Sequence, residues 1–158
     1  MKRDKNLISL SRDHHHGLLL GWKIKQGLKF EVKPELIAEY IKYFSEAALF
    51  PHFKAEEDQI LTYLDDTDSG KQRILQEHKS IRELVTAANT EINDITPIFS
   101  QLAELLESHI RYEEREFFPY LEQNFDASQL ERIGVALDNI HQPFNEEFHT
   151  EFWTRKAK

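Results

Sequence analysis

The sequence contains no cysteine, and only five glycines and five prolines among its 158 residues. Without cysteine the chain cannot form disulfides, iron–sulfur clusters or thiolate metal sites, so any metal must be bound by His, Asp or Glu. This absence also agrees with a reducing compartment. The low glycine and proline content, with 40% hydrophobic and 30% charged residues, is typical of a compact helical protein. We expect one domain covering residues 1–158.

Long apolar runs and an excess of positive charge are also missing. No stretch approaches the ~20 apolar residues that a membrane span needs, and the apolar run after the basic start is too short for a signal peptide. The formal net charge of −8 argues against binding to nucleic acid or to anionic membranes. We therefore expect a cytoplasmic protein.

Apolar residues recur at spacings of three and four along almost the whole chain, and no segment shows the sustained alternation of a β-strand. This pattern predicts an all-α fold with four long helices between about residues 9 and 123, arranged up-down-up-down. Ser9 or Ser11 could cap the first helix, and Pro51 should kink the second. A C-terminal helical extension is expected over about residues 127–154.

The most informative pattern is a motif that occurs twice, as His52-x-x-x-Glu56 and as His109-x-x-x-Glu113. Residues four apart on a helix project from one face, and in both copies that face is apolar. An ionised carboxylate would be unstable there without a partner. The motif therefore predicts that a cation lies between the two helices.

Each of the other two long helices carries a further histidine on its apolar face. In the third helix this is His78. The first helix offers His14, which like His78 follows an acidic residue, and His15, which aligns with Trp22. We favour His14, and His15 remains the alternative.

Four imidazoles and two carboxylates from four helices are a ligand set that suits a metal centre in a bundle core. Two divalent ions bridged by the two glutamates would neutralise the buried carboxylates. A nitrogen-rich set suits iron, zinc or manganese better than magnesium or calcium. The predicted ligands are His14, His52, Glu56, His78, His109 and Glu113, with His15 and Glu114 as the less favoured alternatives.

Further acids lie close to these histidines in the sequence, namely Asp13, Glu57, Glu77 and Glu114. We expect them either to be solvated or to orient a ligand histidine, which is a known use of carboxylates near metal sites. His16 and His141 are expected to be surface or packing residues.

These residues, in this order and on these helices, resemble the hemerythrin-like family, or HHE cation-binding domain, over about residues 10–121. The resemblance implies a four-helix bundle with a non-haem di-iron centre of the Fe–O–Fe type. Such proteins bind or sense dioxygen, respond to nitric oxide or redox conditions, or hold iron. Oxygen-carrying members have a second histidine one turn after the third-helix ligand, where this chain has Arg82, and their fourth-helix carboxylate corresponds to Glu114. The missing imidazole argues against reversible oxygen carriage but leaves metal binding intact.

The leading hypothesis is a non-catalytic di-iron protein that binds dioxygen or a related diatomic molecule as a sensor, store or scavenger. Open metal positions motivate a second hypothesis, a di-iron oxidase or peroxidase. A third is a metal-free helical interaction module, in which the aromatic segment from Phe144 to Trp153 forms a homodimer or partner surface.

Overall fold

The computed structural model describes residues 2–91 and 93–154, which form helices and no strand. The helices are α1 (Ile8–Lys29), α2 (Pro34–Phe44), α3 (Phe50–Gln59), α4 (Ser69–Thr90), α5 (Thr96–Tyr112), α6 (Phe118–Asn124) and α7 (Ala127–Ile140). One π-helical turn, Ser45–Leu49, joins α2 to α3, and another, Glu113–Phe117, joins α5 to α6. The bundle therefore has four rods, which are α1, then α2 with α3, then α4, then α5 with α6.

Each rod packs against the next one along the chain, and the fourth rod packs against the first. Short connections make neighbouring rods antiparallel, so the predicted all-α bundle is confirmed. Its interior contains fully buried apolar side chains such as Leu20, Ile41, Phe99 and Leu106. Among the described helices, none combines the length and apolar composition that crossing a membrane requires.

The start of α1 differs from the sequence-based expectation. The helix begins at Ile8, and within the described residues no side chain caps it, so the prediction that Ser9 or Ser11 caps it is wrong. Ser11 instead donates a hydrogen bond to the carboxylate of Glu114 on the fourth rod, at 2.8 Å. A residue type that favours helix caps is used here to connect two rods.

The prolines inside the second and fourth rods each follow a π-helical turn. Pro51 lies in the first turn of α3, after Ser45–Leu49, and Pro119 lies in the first turn of α6, after Glu113–Phe117. A proline lacks an N–H donor, and its ring crowds the preceding turn of an α-helix. The wider π turn accommodates that crowding. The helix that contains Pro51 is thus interrupted by a π turn just before the proline, and the kink at Pro51 stays a prediction.

Residues 141–154, which we call the strap, have no regular secondary structure. The predicted C-terminal extension is helical over Ala127–Ile140 and is not helical beyond it, so this part of the prediction is wrong. The strap lies against α1 and α2, where Glu146 accepts hydrogen bonds from Lys23, at 2.6 Å, and from Tyr40.

The end of the strap is anchored by Phe152, which is fully buried. Its ring lies over Gly27 of α1, where an added Cβ would come within 2.9 Å of the ring carbons. The absence of a side chain at Gly27 therefore permits the close approach of the strap to the bundle.

Candidate metal centre

Polar side chains from all four rods meet inside the bundle. We call this set the inner cluster, and it consists of His14, His52, Glu56, His78, His109 and Glu113. The first and third rods contribute one histidine each, and the second and fourth rods contribute one histidine and one glutamate each. All of these residues are at most 7% exposed. The structure thus brings together the residues that the sequence predicted as ligands.

The inner cluster divides into two groups that share both glutamates. Ligand atoms of His14 and His52 lie within 4.8 Å of one another and of carboxylate oxygens of Glu56 and Glu113. Ligand atoms of the other histidine pair are equally close to the same two carboxylates. Nitrogen and oxygen atoms at such spacing can surround a cation. Two carboxylates between two histidine pairs match the requirement of two bridged ions.

The atoms that face the centre of the cluster lack hydrogen-bond partners among the described residues. These atoms are Nε2 of all four histidines and both carboxylate oxygens of Glu56 and Glu113. The distance between Nε2 of His109 and Oε1 of Glu113 is only 2.7 Å, but this contact lacks hydrogen-bond alignment. Buried polar atoms are rarely unpaired in native proteins. This arrangement indicates that the residues fit a bound cation.

The other ring nitrogen of each histidine is bonded to a carboxylate of another rod. The Nδ1-to-oxygen distances are 2.6 Å for His14 and Glu114, 2.9 Å for His52 and Asp13, 2.7 Å for His78 and Glu57, and 2.8 Å for His109 and Glu77. An ionised carboxylate can only accept, so each Nδ1 donates. In the neutral imidazole the lone pair is then on Nε2, toward the centre. The carboxylates thus select the tautomer that binds a metal through Nε2.

These four acids, which we call the outer carboxylates, connect the rods in a closed ring. Asp13 on the first rod supports the second, and Glu57 on the second supports the third. Glu77 on the third supports the fourth, and Glu114 on the fourth supports the first. The acids that precede His14 and His78 in the sequence therefore orient histidines on other rods. Every rod therefore contributes one histidine of the inner cluster and one outer carboxylate, which bonds to a histidine of another rod.

The structure distinguishes between the alternatives that the sequence left open. His15 is exposed, whereas His14 is buried in the inner cluster. On the fourth rod, the carboxylate of Glu113 is fully buried within the cluster, and that of Glu114 lies beside Nδ1 of His14. His14 and Glu113 are therefore the members of these pairs that the fold places at the candidate site.

Arg82 stands where the resemblance described above would place a second histidine of the third helix. Its side chain is directed toward Glu57, one of the outer carboxylates. Its guanidinium donates hydrogen bonds to Glu57 at 2.9 and 3.3 Å. Burial raises the pKa of Glu57, but His78 and Arg82 outweigh burial and lower the pKa to about 2. Glu57 is therefore ionised at neutral pH and can accept from His78. Arg82 acts on the site through this carboxylate.

The electrostatics of the inner cluster favour positive charge. Burial lowers the pKa of His109, but the surrounding carboxylates, Glu113 foremost, outweigh it and raise the pKa to about 10. For His14 and His52 too, nearby carboxylates outweigh burial and raise the pKa. Burial raises the pKa of Glu113, yet the nearby histidines hold it well below its usual value. The site therefore attracts positive charge, carried either by protons or by metal ions.

A small cavity of about 20 Å³ adjoins the inner cluster, and we call it the inner cavity. His14, His52 and His109 line it together with apolar side chains of α2, α3 and α5. Its volume is enough for about one small molecule. His16 and Phe144 also line it, although neither was predicted as a site residue. The sequence signal for Phe144 is its place in the aromatic segment that follows Pro143.

The family model described as Hemerythrin HHE cation binding domain matches residues 6–121, which include the whole inner cluster. A second, overlapping match covers residues 69–149. Two similar halves would give such an overlap, since each half has one histidine on its first rod and the His-x-x-x-Glu motif on its second. Searches among curated proteins and among solved structures gave no match. Because the first match covers most of the sequence, the chain belongs to the hemerythrin HHE cation-binding domain family.

Proposed function

We propose that this chain is a cytoplasmic, non-catalytic di-iron protein that binds dioxygen or another diatomic molecule as a sensor, store or scavenger. The supporting observation is the pair of ligand groups that share Glu56 and Glu113, with their inward-facing atoms buried and unpaired within the described chain. Two divalent ions would neutralise carboxylates whose burial costs several kcal/mol each. The family favours iron, although zinc or manganese would fit the same donor atoms.

In this proposal the chain's own residues hold and shape the site. Each histidine pair would bind one ion, on either side of the shared carboxylates. When bound, the iron ions supply open coordination positions and a change of oxidation state. The outer carboxylates keep each Nε2 directed inward, and the apolar wall of the inner cavity limits the access of water to a bound diatomic. The two imidazoles per ion, with Arg82 held by Glu57, favour sensing or storage over reversible oxygen transport.

Metal analysis of matched variants tests the proposal. Protein produced in iron-replete medium should contain close to two irons per chain and show a near-ultraviolet and visible absorption that chelation removes. His14→Ala should lose iron, because it removes a buried ligand. His15→Ala, a change at the adjacent exposed residue, should retain it. A metal-free wild-type preparation, or equal iron contents in the two variants, would contradict the proposal.

The inner cavity favours one alternative function, a di-iron oxidase or peroxidase, because it leaves space for a small reactant beside the histidines. This alternative predicts peroxide turnover that disappears in His109→Ala while the helical fold is retained. Turnover no greater than that of free iron would exclude it. A homodimer formed through the strap has less support, because Phe152 is buried within its own chain.

A further inference from the structure

A larger pocket of about 150 Å³, the outer pocket, lies next to the inner cavity. Its walls come from α1, the π turn before α3, α3 itself, the end of α7 and the strap. The residues that line both the inner cavity and the outer pocket are Asp13, Ala48, His52 and Phe144. These residues form the partition between the two spaces.

Phe144 differs from the other members of this partition. Asp13, Ala48 and His52 belong to helical elements, whereas Phe144 lies in the irregular strap and is half-buried. No helical hydrogen bond in the described chain restrains its backbone. A side chain on such a segment can move at lower free-energy cost than one on a packed helix.

The ring of Phe144 is seated on the aromatic side chains of the first two rods. It packs edge-on against His16 and Phe44, with ring centres 5.3 and 5.1 Å apart. In this position the inner cavity retains only about 20 Å³, which is room for about one molecule of the size of water.

We propose that Phe144 sets the size of the molecules that pass from the outer pocket to the inner cavity, and so determines which ligands reach the metal centre. This inference rests on the proposed function. Molecules that fit the outer pocket but are larger than the inner cavity are retained outside by the ring. Displacement of Phe144 joins the two spaces and removes this selection.

Contacts on both sides of Phe144 hold the ring in place without involving a cluster ligand directly. Three residues earlier, Nε2 of His141 lies 2.8 Å from Asp13. Two residues later, Glu146 accepts hydrogen bonds from Lys23 and Tyr40. Phe144 can therefore be substituted while the inner cluster and both of these contacts are retained.

The test compares Phe144→Ala with Phe148→Ala. Phe148 is a matched control because it is also a half-buried phenylalanine of the strap. It packs on Tyr40, with ring centres 5.0 Å apart, and within the described chain it lines neither space. In iron-loaded protein, stopped-flow absorbance should show azide binding at least about tenfold faster in Phe144→Ala. Phe148→Ala should bind azide at the wild-type rate.

A second measurement uses metal-free protein and a larger probe, diethyl pyrocarbonate, which modifies histidine nitrogens. Mass spectrometry should show faster modification of His14 and His52 in Phe144→Ala than in the wild type, and no acceleration in Phe148→Ala. If circular dichroism shows that Phe144→Ala is unfolded, Phe144→Leu replaces it with the same expected order of rates.

Wild-type rates in the Phe144 variant by both measurements, or equal acceleration in Phe148→Ala, would overturn the assignment. Failure of the wild-type protein to bind iron would contradict the proposed function instead. The modification rates would still test Phe144 in that case, so the two failures are distinguishable.

Discussion

Nδ1 of His14 on α1 lies 2.6 Å from Oε2 of Glu114 on the fourth rod. The same carboxylate accepts a hydrogen bond from Ser11 at 2.8 Å. Burial raises the pKa of Glu114, but His14, Ser11 and the charge of Arg3 together outweigh burial and lower it. Glu114 therefore remains charged and fixed, and it completes the ring in which each rod orients a histidine of the next. Loss of one outer carboxylate should weaken a ligand on a different helix.

We expect Glu114→Gln to lower metal affinity about 10- to 100-fold, the usual effect of removing a carboxylate that orients a ligand histidine. The amide is uncharged and no longer fixes Nδ1 of His14 as the donor. Competition against a chelator of known affinity measures the change. Glu116→Gln, at an exposed position two residues later, is the control and should keep wild-type affinity. Equal affinities in the two variants would show that the ring has no role in binding.

Removal of the metal should lower the melting temperature. A ligand that binds only the folded state stabilises it by about 2.7 kcal/mol at a concentration 100 times its Kd. Differential scanning fluorimetry with and without a chelator measures the shift, which should grow with added metal. His14→Ala should show little shift under the same conditions. An unchanged melting temperature after verified metal removal would mean that cations do not stabilise the inner cluster.

Metal affinity should rise with pH because the ion competes with protons. The pKa of His109 is raised to about 10, so its imidazole is charged at neutral pH in metal-free protein. That charge stabilises the metal-free fold fully at a pH below 6.5, the ordinary pKa of histidine. This stabilisation is lost as the pH rises through about 10. Metal binding must displace the proton. Calorimetry in two buffers of different ionisation enthalpy should therefore detect proton release, and its absence near neutral pH would contradict the assignment of His109 as a ligand.

The strap contact at Lys23 should contribute measurably to stability. Lys23 is 8% exposed and donates to both Tyr40 and Glu146. We expect Lys23→Met to cost about 1–3 kcal/mol of unfolding free energy, because the buried Tyr40 and the carboxylate of Glu146 lose their charged donor. Lys25→Met, which breaks an exposed ion pair with Glu107, should cost less than about 1 kcal/mol. Urea unfolding measures both, and equal losses would show that the strap contact is no stronger than a surface pair.

The positions of the inner-cluster residues could be predicted because they follow from local helix geometry. His14 and not His15 shares the buried face of α1, and Glu113 lies one turn after His109. The partners of the outer carboxylates could not be predicted in this way. Whether Asp13 supports a histidine on its own or another rod depends on which rods are neighbours and on how their side chains are directed.

The irregular structure of the strap could not be predicted from the sequence either. Phe144, Phe148 and Phe152 are four residues apart, a spacing that predicts an apolar stripe on a helix. The chain is irregular there because tertiary contacts override local preference. Phe152 is buried over Gly27, and these contacts depend on surfaces that the strap's own sequence does not specify.

Anomalous X-ray diffraction at the iron edge, from crystals of iron-loaded protein, locates bound iron ions directly. We expect two anomalous peaks inside the bundle, one between His14 and His52 and one between His78 and His109, with Glu56 and Glu113 between them. Crystals of protein with verified iron content that show no peak in the inner cluster, or peaks only at surface carboxylates, would contradict this expectation.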